Sequence, residues 1–109
     1  MKIITWNVNG IRSVVQKGFY DFLERENPDF LCLQETKAHP DQLEDALVAP
    51  LGWKTFWCAA QRPGYSGTAI FTKHTPSEAA YGFGIPKYDA EGRMVVLKFP
   101  QFTLFNVYF

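Results

Sequence analysis

The chain has 109 residues and a formal net charge of zero, with 47% hydrophobic and 17% aromatic residues. This length suits one domain at most, and the apolar content is sufficient for a packed core, which excludes an intrinsically disordered chain. The balanced charge gives no indication of nucleic-acid binding, so any contact with nucleic acid must come from a few locally placed cations.

The first third of the sequence predicts a strand, a helix and a second strand. Residues 2–8 are typical of a buried strand, and Ser13 follows in a position suited to a helix cap. Apolar residues at helical spacing then continue to Asn27-Pro28, which ends the helix, and Gly18 is a weak point at which the helix can break. The second strand covers residues 29–35.

The remainder of the sequence predicts mostly strands. A short helix opens at Pro40-Asp41, where acidic residues suit the helix dipole, and ends near Pro50. The last two strands are joined at Pro100-Gln101, as in a hairpin. The predicted strands cover residues 53–59, 68–73, 93–99 and 102–109, with loops over 61–67 and most of 75–92.

Several of these strands are apolar almost without interruption, which is typical of strands covered on both faces. Two modest helices can cover only one face of a sheet. We therefore expect residues 1–109 to be part of a larger unit, or another chain to supply the second layer.

The two cysteines, Cys32 and Cys58, have no metal-ligand or redox spacing. Reduced core thiols are favoured over a disulfide, and they favour a cytoplasmic protein. The N-terminal apolar run breaks at Thr5 and Asn7, so it is too short for a signal peptide or a membrane span. We therefore expect no membrane partner.

The strand–helix–strand unit brings two polar residues, Asn7 and Glu35, to one edge of the predicted sheet. Such units usually place their strands in parallel, and ligands bind α/β sheets at the carboxyl edge. Glu35 can bind a hard cation such as Mg²⁺, or it can be a solvated acid paired with Lys37. Asn7 can orient a carboxylate or a water, or simply close a turn before Gly10, and Asn9 is ambiguous in the same way.

Three cations and two aromatic residues near strand or loop ends have two interpretations each. The cations can bind phosphate or be ordinary surface charge. Tyr65, on a glycine-containing loop, can press against a nucleic acid or fold back onto the loop. Tyr108 shares the inward parity of Leu104, which favours a core position, although its hydroxyl can also reach the carboxyl edge. The cations are Arg12, Lys37 and Arg93.

Four runs of the sequence stand in the order and spacing of a known family. They are Trp6-Asn7-Val8-Asn9-Gly10-Ile11-Arg12, Leu31-Cys32-Leu33-Gln34-Glu35-Thr36-Lys37, Gly64-Tyr65-Ser66-Gly67-Thr68-Ala69-Ile70-Phe71 and Glu91-Gly92-Arg93. Together they resemble exodeoxyribonuclease III and its apurinic/apyrimidinic endonuclease relatives, in the endonuclease/exonuclease/phosphatase superfamily. The second and third runs resemble the DNA-repair branch in particular.

The resemblance implies an α/β fold, namely the N-terminal half of a four-layered, DNase I-like α/β sandwich with a mixed sheet and flanking helices. Residues 1–109 would form a partial domain. The implied reaction is Mg²⁺-dependent, or Mn²⁺-dependent, hydrolysis of phosphodiesters in double-stranded DNA beside abasic sites, with cleaning of 3′ ends. The implied place of action is the bacterial cytoplasm, at the nucleoid.

The resemblance also implies a role for individual residues. Glu35 resembles the metal-binding glutamate, and Asn7 resembles the asparagine at the metal and catalytic site. Tyr108 resembles the catalytic tyrosine that hydrogen-bonds the scissile phosphate. The residues that resemble DNA-backbone contacts are Arg12, Lys37, Tyr65 and Arg93.

The sequence departs from the family in length, because it stops after Tyr108 and family members are more than twice as long. Their later segments hold the aspartate and asparagine that position the attacking water, and an aspartate–histidine pair. We therefore expect residues 1–109 alone to be nearly inactive. The alternatives are another phosphodiesterase of the superfamily and a catalytically dead module that binds DNA or dimerises.

Overall fold

Seven strands and four short α-helices make up the computed structural model, which describes residues 1–109 except for the side chain of Tyr88. In chain order the elements are β1 (Ile3–Asn7), α1 (Ile11–Val15), α2 (Phe19–Glu26), β2 (Phe30–Gln34), a 3₁₀ turn (Pro40–Gln42), α3 (Asp45–Val48), β3 (Lys54–Cys58), β4 (Thr68–Thr72), β5 (Glu78–Tyr81), α4 (Pro86–Asp89), β6 (Met94–Lys98) and β7 (Thr103–Val107). Within this described part, none of the helices has the length and apolar character needed to cross a bilayer.

The strands form two sheets. The first is mixed and has the order β1-β2-β4-β3, in which β1 and β2 are parallel and the other pairs are antiparallel. The second is antiparallel, with the order β5-β6-β7. The predicted parallel pairing of β1 with β2 and the predicted hairpin of β6 with β7 are both confirmed.

The continuous apolar strands are explained by cover on both faces of the first sheet. Leu31 and Leu33 of β2 face α1 and α2, where they pack with Phe19 and Leu23 of α2. The alternate residues of β2, beginning with Phe30, face the second sheet instead. The fold is therefore layered as helices, sheet and sheet.

This layering identifies the source of cover for the apolar strands β2 and β4, for which the sequence suggested another chain or a larger unit. The second layer over β2 and β4 comes from the chain's own second sheet, through Val95 and Leu97 of β6. Next to β1 the second sheet leaves an open cleft, where Ile3 and Phe105 are 50% and 60% exposed. Both cysteines are free, as expected.

The helices begin and end at residues other than those predicted from the sequence. The helical segment breaks at Gly18, whose φ of 98° suits glycine, and so forms the separate helices α1 and α2. The cap assigned to Ser13 is wrong, because α1 already begins at Ile11, after Gly10. The single helix predicted from Pro40 is also wrong, since the segment forms a 3₁₀ turn and then α3.

Two elements lie in the segment expected to be mostly loop. Strand β5 is short and contains Glu78 and two alanines, which have low strand propensity, so its pairing with β6 fixes it as a strand. Helix α4 has only four residues and begins with Pro86. Neither is long enough to show a period in the sequence.

Candidate active site

The loops that carry the predicted site residues converge on one edge of the two sheets. Strands β1 and β2 end there together, since Asn7 pairs with Gln34, and β4 begins there, since Gln34 pairs with Thr68. The second sheet is aligned at the same edge, because the Thr68 hydroxyl donates to the Gly92 carbonyl at 3.2 Å. Strand β6 begins and β7 ends at this edge.

Glu35 is the centre of this edge, and three side chains meet its carboxylate. The Asn7 amide Nδ2 donates to Oε1 at 2.9 Å, and Lys37 Nζ lies 3.7 Å from Oε2. The hydrogen bond from Asn7 is the main reason that the pKa of Glu35 lies below its ordinary value of 4.5, and the Tyr108 hydroxyl and Lys37 act in the same direction. The expected meeting of Asn7 and Glu35 is therefore confirmed, and Glu35 is an oriented anion at neutral pH.

The parity of Tyr108 along its strand favours a core position, but the structure places Tyr108 at the edge of the sheets. Its hydrogen bond with the Glu35 carboxylate raises the pKa of Tyr108 above the ordinary value of 10.0. The phenol therefore keeps its proton at neutral pH and remains a hydrogen-bond donor.

Asn9 belongs to the same network. Its backbone N–H donates to Asn7 Oδ1 at 3.1 Å, and its side-chain Oδ1 accepts from Lys37 Nζ at 2.6 Å. Asn7 is thus held on both sides, with its amide nitrogen at Glu35 and its oxygen at Asn9. In this arrangement Asn7 orients the carboxylate.

The loops of this edge adopt strained backbone conformations. Asn9, Glu35, Lys37 and Ser66 all have left-handed φ angles, between 48° and 57°. Such residues cost about 1–3 kcal/mol each and tend to occur at functional sites, where surrounding contacts enforce them. Here the enforcing contacts are backbone hydrogen bonds at 2.8 Å, from Gly10 N to Glu35 O and from Lys37 N to Ser66 O.

A second cluster, which we call the arginine cluster, adjoins Tyr108 and consists of Tyr65, Glu91 and Arg93. Arg93 Nε donates to Glu91 Oε2 at 2.9 Å, and its Nη2 donates to the Tyr65 hydroxyl at 3.2 Å. Arg93 is the main cause of a lowered pKa at Glu91. The Tyr65 ring thus lies against Arg62 of its own loop, whose guanidinium carbon is 5.4 Å from the ring centroid, while its hydroxyl is tied to residues after β5.

Beneath the edge, a buried amide joins the two sheets. Asn106 of β7 donates through Nδ2 to the carbonyls of Leu33, at 2.9 Å, and Ala69, at 2.8 Å. Its Oδ1 accepts from Gln34 Nε2 at 2.8 Å, directly before Glu35. Asn106 is only 3% exposed, so these hydrogen bonds are shielded from water.

Sequence reasoning missed Glu91 and Asn106. Asn106 carried a signal, because it is a polar residue with the inward parity of Leu104 and Tyr108. Glu91 lies in the run Glu91-Gly92-Arg93 that contributes to the family resemblance, but no role was assigned to it.

Arg12 is the predicted site residue that the structure places apart from these contacts. It lies exposed on α1, and its Nη2 donates to Gln42 Oε1 at 3.3 Å. Its position still borders the loop that follows β2, because Ile11 N donates to Thr36 O at 3.0 Å.

The donor set around Glu35 suits a hard divalent cation. It consists of the Glu35 carboxylate and the Tyr108 phenol oxygen, because the Asn7 amide turns its nitrogen to Glu35 and its oxygen to Asn9. The Lys37 ammonium group adds positive charge and cannot coordinate a metal. Mg²⁺ takes oxygen ligands, keeps several waters and is often bound by one or two carboxylates together with substrate phosphates. Across residues 1–109, apart from the Tyr88 side chain, no group of three or more His, Cys, Asp or Glu is placed to enclose a metal.

A family model described as the Endonuclease/Exonuclease/phosphatase family matches residues 4–109. The chain is 44% identical over 108 residues to a DNA-(apurinic or apyrimidinic site) endonuclease of Dictyostelium discoideum, covering 99% of this chain and 30% of that protein. It is 41% identical over 109 residues to an exodeoxyribonuclease of Bacillus subtilis, covering 99% of this chain and 42% of that protein. The chain thus spans less than half the length of these curated relatives.

Solved structures agree with the sequence relatives. An AP endonuclease from Archaeoglobus fulgidus superposes with a TM-score of 0.84 at 29% identity, covering 99% of this chain and 40% of that chain. A 3′-5′ exonuclease (NExo) from Neisseria meningitidis gives a TM-score of 0.84 at 30% identity, with 99% and 41% covered. The expected fold class, one part of a DNase I-like α/β sandwich, is therefore confirmed.

Proposed function

The chain belongs to the endonuclease/exonuclease/phosphatase family, and we propose that it is the Glu35-bearing part of a DNA-repair nuclease. The reaction is hydrolysis of DNA phosphodiester bonds beside abasic sites, accompanied by 3′-5′ exonuclease and 3′-phosphodiesterase action. One observation carries the proposal: a carboxylate anion is fixed by an amide, a phenol and an ammonium group at the edge where the loops converge.

The proposed cofactor is Mg²⁺, with Mn²⁺ as an acceptable substitute. Glu35 would be its protein ligand, and Asn7 would hold the carboxylate in the ligating orientation or contribute its amide oxygen. When bound, the cation supplies Lewis-acid polarisation of a phosphoryl oxygen and neutralises the charge that develops there. The support for this assignment is the oxygen-rich donor set and the lowered pKa of Glu35.

The remaining residues of the edge act on the phosphate itself. Tyr108 donates a hydrogen bond to a non-bridging oxygen, which its raised pKa permits because the phenol stays protonated. Lys37 supplies a positive charge from a side chain that is 39% exposed and already faces Glu35 and Asn9. Phosphoryl transfer depends mainly on such positioning and electrostatic stabilisation.

Double-stranded DNA with an abasic site or a 3′ end is the proposed partner. Arg12 and Lys37 supply charge for the DNA backbone, and Tyr65, which is 37% exposed, supplies a ring beside it. The resemblance places Arg93 among these contacts as well. We assign the work to the cytoplasm, beside the chromosome, since the substrate is DNA and both cysteines are free thiols.

The general base that prepares the attacking water lies, in this proposal, outside residues 1–109. The described side chains provide two anions near the edge: Glu35 is assigned to the cation, and Glu91 is paired with Arg93 and Tyr65. General-base assistance typically contributes ~10²–10⁴-fold, so residues 1–109 alone should turn over very slowly.

The test uses an abasic-site duplex, the intact duplex, a phosphorylated sugar and a lipid phosphodiester, each with Mg²⁺. We expect residues 1–109 to bind the abasic duplex preferentially and to nick it barely above background. Glu35→Gln should remove the Mg²⁺ dependence of binding, while the matched control Glu24→Gln, on the exposed face of α2, should retain it.

Preferential cleavage of the sugar or lipid substrate would favour another phosphodiesterase and reject the DNA-repair assignment. DNA binding that ignores Mg²⁺ would favour a binding module without catalysis. Robust nicking that Glu35→Ala abolishes would refute the proposed inactivity of residues 1–109.

A further inference from the structure

Arg93 differs from the other candidate DNA contacts in how its donors are used. Its guanidinium makes the two hydrogen bonds to Glu91 and Tyr65 described above, and Nη1 donates to the backbone oxygens of Tyr108, at 3.3 Å, and Phe109, at 3.1 Å. These four contacts occupy four of the five N–H donors of an arginine. Little hydrogen-bonding capacity remains for a phosphate.

The charge of Arg93 is also committed within the protein. Glu91 accepts its Nε–H in an ion pair, and the Arg93 side chain is 19% exposed, compared with 39% for Lys37. The guanidinium carbon lies 5.2 Å from the centroid of the Tyr108 ring, which is within cation–π distance. Arg93 therefore contacts both tyrosines that the proposed function brings to the DNA.

We propose that Arg93 is a positioning residue, which locks the Tyr65 loop to the strand end that carries Tyr108 before DNA binds. This inference rests on the proposed function, because it assumes that the two tyrosines contact the substrate. It replaces a direct phosphate contact of Arg93 with an indirect role.

The geometry explains why such a lock is needed. Tyr65 belongs to the loop between β3 and β4 of the first sheet, whereas Tyr108 follows β7 of the second sheet. The planar Arg93 guanidinium, whose N–H groups form a fork, hydrogen-bonds the Tyr65 hydroxyl and the Tyr108 carbonyl. Among the described side chains, the Tyr65 hydroxyl has one other partner, Glu91, at 3.3 Å. Lysine cannot replace the fork, because an ammonium group is a point charge without planar, divergent donors.

The first test needs no DNA. Backbone ¹⁵N relaxation is measured on residues 1–109 for the wild type, Arg93→Lys and Tyr65→Phe, with Arg25→Lys on α2 as the matched control. We expect order parameters near ~0.85 at Gly64 and Tyr65 in the wild type and the control, and values falling towards ~0.6 in both test variants. Ser66 and Gly67 should stay ordered in every variant, because their carbonyls accept from Lys37 N and Thr36 N. Unchanged order parameters in a folded Arg93→Lys protein would overturn the proposal.

The second test separates positioning from charge neutralisation by the salt dependence of DNA binding. Losing one phosphate contact lowers the slope of log K against log salt by about 0.9. We expect this change for Lys37→Gln, whereas Arg93→Gln and Arg93→Lys should both weaken binding with the slope unchanged. A slope reduced by Arg93→Gln and restored by Arg93→Lys would overturn the proposal in favour of a direct contact.

The two tests fail in distinguishable ways. If the wild type shows no affinity for abasic DNA, the proposed function fails. The relaxation measurement then still decides whether Arg93 orders the Tyr65 loop, because it requires only the folded protein.

Discussion

Replacing Asn106 with leucine removes the amide that joins the two sheets under the candidate active site. Leucine has a similar volume and fills the same space, but it cannot donate to the carbonyls of Leu33 and Ala69 or accept from Gln34. Each buried hydrogen bond contributes about 1 kcal/mol net, so the free energy of unfolding should fall by roughly 3 kcal/mol.

The assay is urea unfolding followed by tryptophan fluorescence. For a small domain, roughly 3 kcal/mol corresponds to a midpoint about 2 M lower in urea. Thr103→Ala is the matched control, since Thr103 is an exposed residue of the same strand and its loss should change stability by less than about 0.5 kcal/mol. An Asn106→Leu protein as stable as the control would show that the amide does not hold the sheets together.

Asn106→Asp adds a pH signature to the same reasoning. The carboxylate keeps the shape of the amide but points an anion at two carbonyl oxygens, so its folded-state pKa should rise above the unfolded value of about 3.9. The variant should therefore lose stability as the pH rises from about 4, relative to the wild type. A stability difference that does not change with pH would contradict this placement of the side chain.

Three further variants test the edge itself. Asn7→Ala removes the donor that favours the ionised Glu35 carboxylate, so the pKa of Glu35 should rise towards 4.5 in a carbon-13 titration. When the pH is lowered, the variant should therefore lose the stability contributed by the Glu35 anion at a higher pH than the wild type does. Glu35→Gln should lower the pKa of Tyr108 towards 10.0 by ultraviolet titration, and an unchanged value would contradict their hydrogen bond. Gly67→Ala should lower the melting temperature, because the new Cβ would clash with the buried Thr36 Oγ1 and the φ of 95° disfavours alanine. An unchanged melting temperature would show that the loop can shift.

The sequence predicted the parts of the site that follow from strand direction. A short crossover between two apolar runs implies parallel strands, and parallel strands place Asn7 and Glu35 at one edge whatever the rest of the fold does. The continuous apolar runs of β2 and β4 likewise predicted two covered faces. Sequence reasoning misassigned the source of the cover, because it counted helices and missed that β5, β6 and β7 form a second sheet.

The rest depended on contacts between segments that are distant in the chain. Asn106 reaches Leu33 across 73 residues, and Arg93 reaches Tyr65 across 28. No local period in the sequence indicates hydrogen bonds between residues so far apart in the chain. Strand parity alone favoured a core position for Tyr108, because parity gives the face of a strand but not how far along that face the partner sheet extends. The site position of Tyr108 was expected only from the family resemblance.

Paramagnetic broadening by Mn²⁺ tests most directly whether Glu35 anchors a cation site. Substoichiometric Mn²⁺ should first broaden the amide signals of residues 7–9, 34–36 and 107–108, and Glu35→Gln should abolish this selectivity while Glu24→Gln preserves it. Broadening centred on other carboxylates, or broadening of the same signals in the Glu35→Gln protein, would contradict the account.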